Sequence, residues 1–221
     1  MINIALDGPA GAGKSWLAKA LAESLGYIHV DTGALYLSIG LYMLRKGIAA
    51  DDKNSIVKNL SGLTVTLTFE ADGQHVYLCG EDVTGLIRTP EVSTCAAAVS
   101  AIPEVRAFLL DTQRRLAREN NVIMDGRDIG TVILPDADVK LFVTADDEIR
   151  AERRMKELHE KGIDQPFEDV LMEMRERDRM DSTREASPAS AAEDAIVLNN
   201  SKLDREETLA EALRIIHKQI D

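Results

Sequence analysis

Eight residues near the start of the chain, Gly8-Pro9-Ala10-Gly11-Ala12-Gly13-Lys14-Ser15, fit the pattern GxxxxGK[ST]. Those residue types at that spacing bind phosphate. Glycines let the backbone curl until successive N–H groups point inward at phosphate oxygens, and a helix that begins where the loop ends adds positive potential. Lys14 then reaches the β- and γ-phosphates of a nucleoside triphosphate, and the Ser15 hydroxyl is a ligand for Mg2+. The motif carries this meaning only between a strand and a helix. Without that setting it is a glycine-rich turn.

A second group of residues suits anions. Seven arginines fall between Arg150 and Arg184, in a chain whose formal net charge is −12. That acidity opposes binding to long nucleic acids, whose affinity comes largely from phosphate neutralisation. One local store of arginine in an acidic protein instead suits a small anionic ligand held at one place. The plainer reading is helix-surface arginine balanced by neighbouring Asp and Glu. Arg127-Asp128 is similarly double: a fork for phosphate beside a carboxylate able to accept from an exocyclic amine, or a local ion pair in a turn.

The elements that must position these groups are legible in the hydrophobic pattern. INIAL (2–6) is short, apolar and β-branched, as a central parallel strand buried on both faces is. Leu17, Leu21 and Leu25 recur every fourth residue and predict a helix directly after the loop, with Gly26 as its stop. YIHVD (27–31) reads as a second strand and Gly33 to Lys46 as a second helix. LTVTLTF, EADGQ and HVYLC then alternate around Asp72-Gly73, which predicts an inserted antiparallel hairpin. Helical patterns resume at RTPEVSTCAAAVSAI and PEVRAFLLDTQRRLAREN, with Pro90 and Pro103 in first-turn positions. VIMD (122–125), VKLFVT (139–144) and AIVLN (195–199) are further parallel-type strands. Asp146 to Met180 is charged and helical with a break near Gly162 and Pro166, and Glu206 to Ile220 closes the chain as an amphipathic helix.

Alternating strands and helices predict a parallel α/β sheet with its ligand crevice at the carboxyl ends of the strands. A length of 221 residues, 45% hydrophobic and 29% charged, fits a single globular core with an insertion. No apolar run approaches the ~18 residues of a spanning helix, so no membrane role is expected. MINIALDG enters a strand pattern without a basic segment or cleavage site, which gives a cytoplasmic expectation. Cys79 and Cys95 lack CxxC spacing and the four histidines are scattered, which predicts reduced structural cysteines and no zinc site. With 4% aromatic residues no stacking platform for single-stranded nucleic acid is apparent.

The loop GPAGAGKS, VDTGALY (30–36), GEDVTGLIRTPEVS (80–93), AIPEVR (101–106), DGRDIGTVILPDADVK (125–140) and RDRMDSTRE (177–185) together resemble the bacterial cytidylate kinases, nearly end to end. The resemblance implies ATP-dependent phosphorylation of CMP and dCMP with Mg2+. It also implies a P-loop kinase fold with a five-stranded parallel sheet flanked by helices, an antiparallel insert for the monophosphate and a helical lid. The expected division is a core over 1–62, 99–145 and 183–221, a monophosphate-binding insert over about 63–98 and a lid over about 146–182. By the same resemblance Asp31 and Thr32 lie at the acceptor site, and Arg106, Arg127 and Asp128 hold the cytosine and its phosphate. Asp181 and Arg184 match positions near the acceptor's sugar and phosphate. Arg153 and Arg177 match arginines that close over the transferring group, beside Lys14. Asp125, ending its strand beside the loop, is a candidate for a water-mediated contact with Mg2+. ATP and CMP or dCMP are the expected partners, of a monomer.

Three positions depart from the family's pattern. Trp16 stands where a threonine is usual; it offers only its backbone N–H to the donor phosphates, and a packing role is favoured over base stacking. Leu37 replaces an arginine that grips the acceptor phosphate, and Ala97 replaces a serine that helps read the base. Losing that arginine costs about ten- to a hundredfold in acceptor handling, because a hydrogen bond to a charged group contributes ~1.5–3 kcal/mol. Arg88 is a candidate to compensate. The alternatives are a kinase for UMP or another small acceptor, and a nucleotide-binding module without catalysis.

Overall fold

The computed structural model describes residues 1–70, 72–160 and 162–220. Ala71 of the EADGQ turn, Lys161 at the anticipated helix break and Asp221 lie outside the described residues. In chain order the elements are Asn3–Asp7 (β1), Lys14–Leu25 (α1), Ile28–Asp31 (β2), Gly33–Arg45 (α2) and Lys53–Leu60 (α3). Val65–Glu70 (β3), Gly73–Leu78 (β4), Glu81–Asp82 (β5), Pro90–Ser100 (α4) and Pro103–Glu119 (α5) follow. Then come Val122–Asp125 (β6), a π-helix over Ile129–Ile133, Val139–Thr144 (β7), Asp147–Glu160 (α6), Phe167–Thr183 (α7), Ile196–Asn199 (β8) and Arg205–Ile220 (α8).

Five strands form one parallel sheet in the order β2-β6-β1-β7-β8. The continuous apolar text of β1 follows from its central place. Ile4 and Leu6 pack with Leu17 and Leu21 of α1 and with Ile215 and Ile216 of α8, whereas Ala5 faces Met124, Ile129 and Ile133 on the other side. Every strand of this sheet therefore ends at the same edge, and the loops after β1, β2 and β6 lie side by side. Among the described residues no single helix is long and apolar enough to cross a membrane.

The insert is a three-stranded antiparallel sheet, β3-β4-β5, so the hairpin gains a two-residue third strand too short to carry an alternation signal. His75 ties this piece together. Its ring lies 2.9 Å from Asp82 and 3.0 Å from Asp72, and hydrogen bonds first to Asp82 and then to Asp72 raise its pKa to about 9. The π-helix is a second feature without a sequence signal. It is held by Asp7 at the end of β1, whose carboxylate accepts from Ile129 N at 2.8 Å and Gly130 N at 2.7 Å. Burial pushes the Asp7 carboxyl up to about 6 despite those two bonds.

Helices α2 and α4 meet closely at Gly40, where a β-carbon would lie 2.9 Å from Ala96 N and 3.1 Å from Val92 O. Backbone lines that contact, so a methyl group there must push the helices apart. Gly40→Ala is expected to cost about 1–3 kcal/mol, read as a melting temperature lowered by roughly 2–4 °C for each kcal/mol. An unchanged melting temperature would show that the two helices separate freely.

Candidate active site

The loop after β1 curls because its glycines permit it. Gly8 has φ 143°, and a β-carbon there would sit 2.0 Å from Val143 O on the neighbouring strand. Gly11 and Gly13 also have positive φ, 71° and 85°, and α1 begins at Lys14 immediately after Gly13. Lys14 is buried, and its Nζ donates to Pro9 O at 2.7 Å inside the curl. Burial, reinforced by repulsion from Arg127, holds this ammonium well below the usual lysine pKa. A positive charge kept in so little water attracts an anion more strongly than one on the surface.

Ser15 and Asp125 meet beside it. The Ser15 hydroxyl donates to Asp125 Oδ2 at 2.7 Å, and His29 Nε2 lies 2.7 Å from Asp125 Oδ1. Burial works to raise the Asp125 pKa, but the hydrogen bond and charge of His29, with Ser15 and Lys14, leave it below the usual carboxylate value. Burial likewise works to lower the His29 pKa, and Asp125 more than offsets it, leaving the imidazole above its ordinary value. Thr32 serves the backbone here. Its hydroxyl donates to Asp125 O at 2.8 Å, pinning the start of α2 to the end of β6.

The back of the loop is fastened by residues that sequence reasoning missed. Arg150 Nη1 donates to Ala10 O at 2.9 Å and pairs with Asp178 at 2.6 Å, while Asp178 Oδ1 accepts from Ala10 N at 3.2 Å. Asn200 Nδ2 donates to Ala12 O at 3.0 Å. Helices α6 and α7, packed on each other through Ala151, Leu158, Val170 and Leu171, thus reach the loop through side chains that no local motif advertises.

From the loop a chain of alternating charges runs across the sheet edge. Arg127 Nε donates to Asp181 at 3.2 Å, and Asp181 lies 3.7 Å from Arg184 Nη1. Arg184 Nη2 reaches Asp128 at 3.4 Å, and the other Asp128 oxygen accepts from Arg106. Asp128 and Arg106 are buried. Arg106 also donates to Ser100 O at 3.0 Å and lies over the Tyr36 ring, 5.4 Å from its centroid. Among the described residues, its Nε–H and the amide nitrogen of Gln113 are buried without a hydrogen-bond partner. Five of the predicted residues, Arg106, Arg127, Asp128, Asp181 and Arg184, are therefore one network. A cleft of about 410 Å³ opens among Gly8, Pro9, Arg127, Asp178 and Asp181, joining that network to the loop. A hollow of about 600 Å³ at the far end of α6, lined by Met155, His159 and Ile163, contains none of the predicted site residues.

The remaining predicted residues fall around this centre. Asp31 Oδ2 accepts from Arg88 at 2.6 Å, and its backbone is held by the Gln74 amide of β4. Arg177 stands in the field of Arg127, Asp181, Arg154 and Asp178, and desolvation followed by repulsion from Arg127 lowers its pKa. Arg153 is turned elsewhere. Its guanidinium donates to Asn200 Oδ1 at 2.9 Å and Asn200 O at 3.0 Å, so Arg154 is the α6 arginine whose charge acts on Arg177. Trp16 packs against the α1–α8 core, with the Arg205 guanidinium 5.3 Å from its ring centroid. Leu37 is half-buried against the α2 core, and Ala97 is exposed on α4.

What the sheet delivers to its carboxyl edge is the phosphate grip of a P-loop phosphotransferase. The family model described as cytidylate kinase matches residues 4–218. The chain is 49% identical over 219 residues to the cytidylate kinase of Caldicellulosiruptor bescii, covering 99% of this chain and 97% of that one. It is 45% identical over 220 residues to the cytidylate kinase of Carboxydothermus hydrogenoformans, covering 100% and 99%. An uncharacterized protein from Eubacterium ventriosum, known by crystal structure, shares the fold, with TM-score 0.56 and 15% identity over 98% of this chain and 99% of that one. The chain belongs to the cytidylate kinase family, and it is a nucleotide-binding transferase.

Proposed function

We propose that the protein transfers the γ-phosphoryl group of ATP to CMP and dCMP, giving CDP and dCDP. The observation that carries this reading is the continuous charge network, Arg106–Asp128–Arg184–Asp181–Arg127, ending at the phosphate loop. Residues 8–16 take the donor's phosphates, with Lys14 at the β- and γ-positions. Arg127 and Arg184 take the acceptor's phosphate, and Asp128 accepts from the exocyclic amine of cytosine while Arg106 presents its spare buried N–H to the base. A buried donor without an acceptor costs ~1–3 kcal/mol, which a bound base would recover. Asp31 and Thr32 shape the floor of this acceptor site.

The acceptor is a phosphate already anionic at neutral pH, so no side chain has to remove a hydroxyl proton. Alignment and charge neutralisation supply the catalysis. Lys14 and Arg177 spread the charge of the transferring group, and Arg153 joins them on release from Asn200. Residues of about 146–182, which hold α6 and nearly all of α7, act as the lid that excludes water, and residues of about 63–98 act as the monophosphate-binding insert. A hydroxyl and a carboxylate 2.7 Å apart, Ser15 and Asp125, are hard oxygen donors and fit Mg2+. Bound there with ATP, the metal would neutralise charge on the β- and γ-phosphates.

The test is ADP release from Mg-ATP with CMP, dCMP, UMP, AMP or no acceptor. Stimulation by CMP and dCMP is expected. Stimulation by UMP alone would reassign the acceptor, and ATP binding without stimulation by any of them would make the chain a non-catalytic module. Leu37→Arg adds a guanidinium at the rim of the α2 core, and we expect kcat/KM for CMP to rise by about tenfold or more, the worth of one charged hydrogen bond. An unchanged or lower value would mean that the acceptor phosphate does not pass this turn of α2.

A further inference from the structure

We infer that His29 is a positioning residue for the divalent cation of the bound nucleotide, acting through Asp125. This rests on the phosphotransfer reading above. Paired strands present registered residues to one face, and β2 pairs with β6 so that His29 stands opposite Ile123 and Asp31 opposite Asp125. Ile123 packs toward α1, so His29 and Asp125 face the helix that starts with Lys14 and Ser15. The imidazole consequently reaches diagonally to the Asp125 carboxylate, Nε2 to Oδ1 at 2.7 Å, while Oδ2 accepts from Ser15 at 2.7 Å.

A carboxylate held at both oxygens cannot turn about its terminal torsion. Asp125 is 4% exposed, so water does little to hold it in place of His29. Among the described residues the His29 ring has no other hydrogen-bond partner. Nε2–H is present in one neutral tautomer and in the cation, and both make the same bond, so no change of protonation is required. When the Ser15 oxygen turns to a metal, His29 keeps Asp125 aimed at the same spot. Outer partners of this kind contribute about 10- to 100-fold in metal affinity or activity. The motif that announces the loop contains neither His29 nor Asp125.

The experiment compares His29→Phe, which keeps ring bulk without a donor, with His29→Gln, which keeps a donor. Mn2+ binding to the ADP complex is followed by electron paramagnetic resonance without acceptor, beside the Mg2+ dependence of turnover and the KM values for ATP and CMP. Expected is Mn2+ affinity weakened about tenfold or more in His29→Phe, substantial recovery in His29→Gln, and KM for CMP at saturating Mg2+ near wild type. Wild-type Mn2+ affinity in His29→Phe, or equal loss in His29→Gln, would overturn the inference. Should His29→Phe not fold, nitrogen NMR of the wild-type histidines decides. Mg2+ added to the ADP complex is expected to shift the His29 Nε2 resonance, and an unmoved resonance would reject the role. Because the Mn2+ affinity and the nitrogen NMR are both read on the ADP complex without CMP, a wrong acceptor leaves the inference standing.

Discussion

Lys14→Met is expected to lower kcat by about 10²- to 10³-fold, the usual effect of removing one preorganised group aimed at developing charge, without lowering the stability of the free protein. The two halves of this expectation have one cause. Lys14 is buried, and its pKa is held down by desolvation and by Arg127, so its charge is kept at a cost to the fold. Methionine fills the same volume and needs no hydration, and it relieves the repulsion with Arg127. What it forfeits is the cation that Pro9 O holds ready at 2.7 Å. Steady-state turnover at saturating ATP and CMP, paired with thermal unfolding without nucleotide, checks both halves. Turnover near wild type would remove Lys14 from the reaction, and a clear fall in melting temperature would show that the ammonium supports the fold.

The loop was legible because its function needs particular residues adjacent in the chain. The partners of the loop are another matter. Ser15 and Asp125 are 110 positions apart and meet only because β6 lies next to β1. His29 joins them only through the register of β2, a relation that hydrophobic periodicity does not encode. The arginine store divides by the partners the fold gives it. Arg154, Arg175 and Arg179 pair with carboxylates on α6 and α7, as surface helices commonly do. Arg184 enters the charge network, and Arg150 fastens the loop. Arg153 lies in the charged helical stretch that the sequence predicts, but its contact with Asn200 depends on where the end of β8 lies. The π-helix and β5 escaped notice because one is built on hydrogen bonds to a distant Asp7 and the other is two residues long.

The second large effect belongs to Asp128, and selectivity separates it from any general damage. This carboxylate is buried between Arg106 and Arg184, and removing one partner of such a cluster costs about 3–5 kcal/mol when the charge is deleted outright. Asp128→Asn retains one acceptor oxygen, so a smaller loss of stability is expected. Its consequence for the base is sharper. A carboxylate only accepts, which suits the amine of cytosine, whereas an amide also presents N–H donors, which suit the carbonyl that uracil carries at the same position. The ratio of kcat/KM for CMP to that for UMP is therefore expected to fall by about ten- to a hundredfold, the worth of one hydrogen bond to a charged group, while KM for ATP stays near wild type. Destabilisation depresses both acceptors alike and cancels in the ratio. An unchanged ratio would show that Asp128 braces the arginines without touching the base, and the reading of cytosine would have to move to Arg106 and its unpaired N–H.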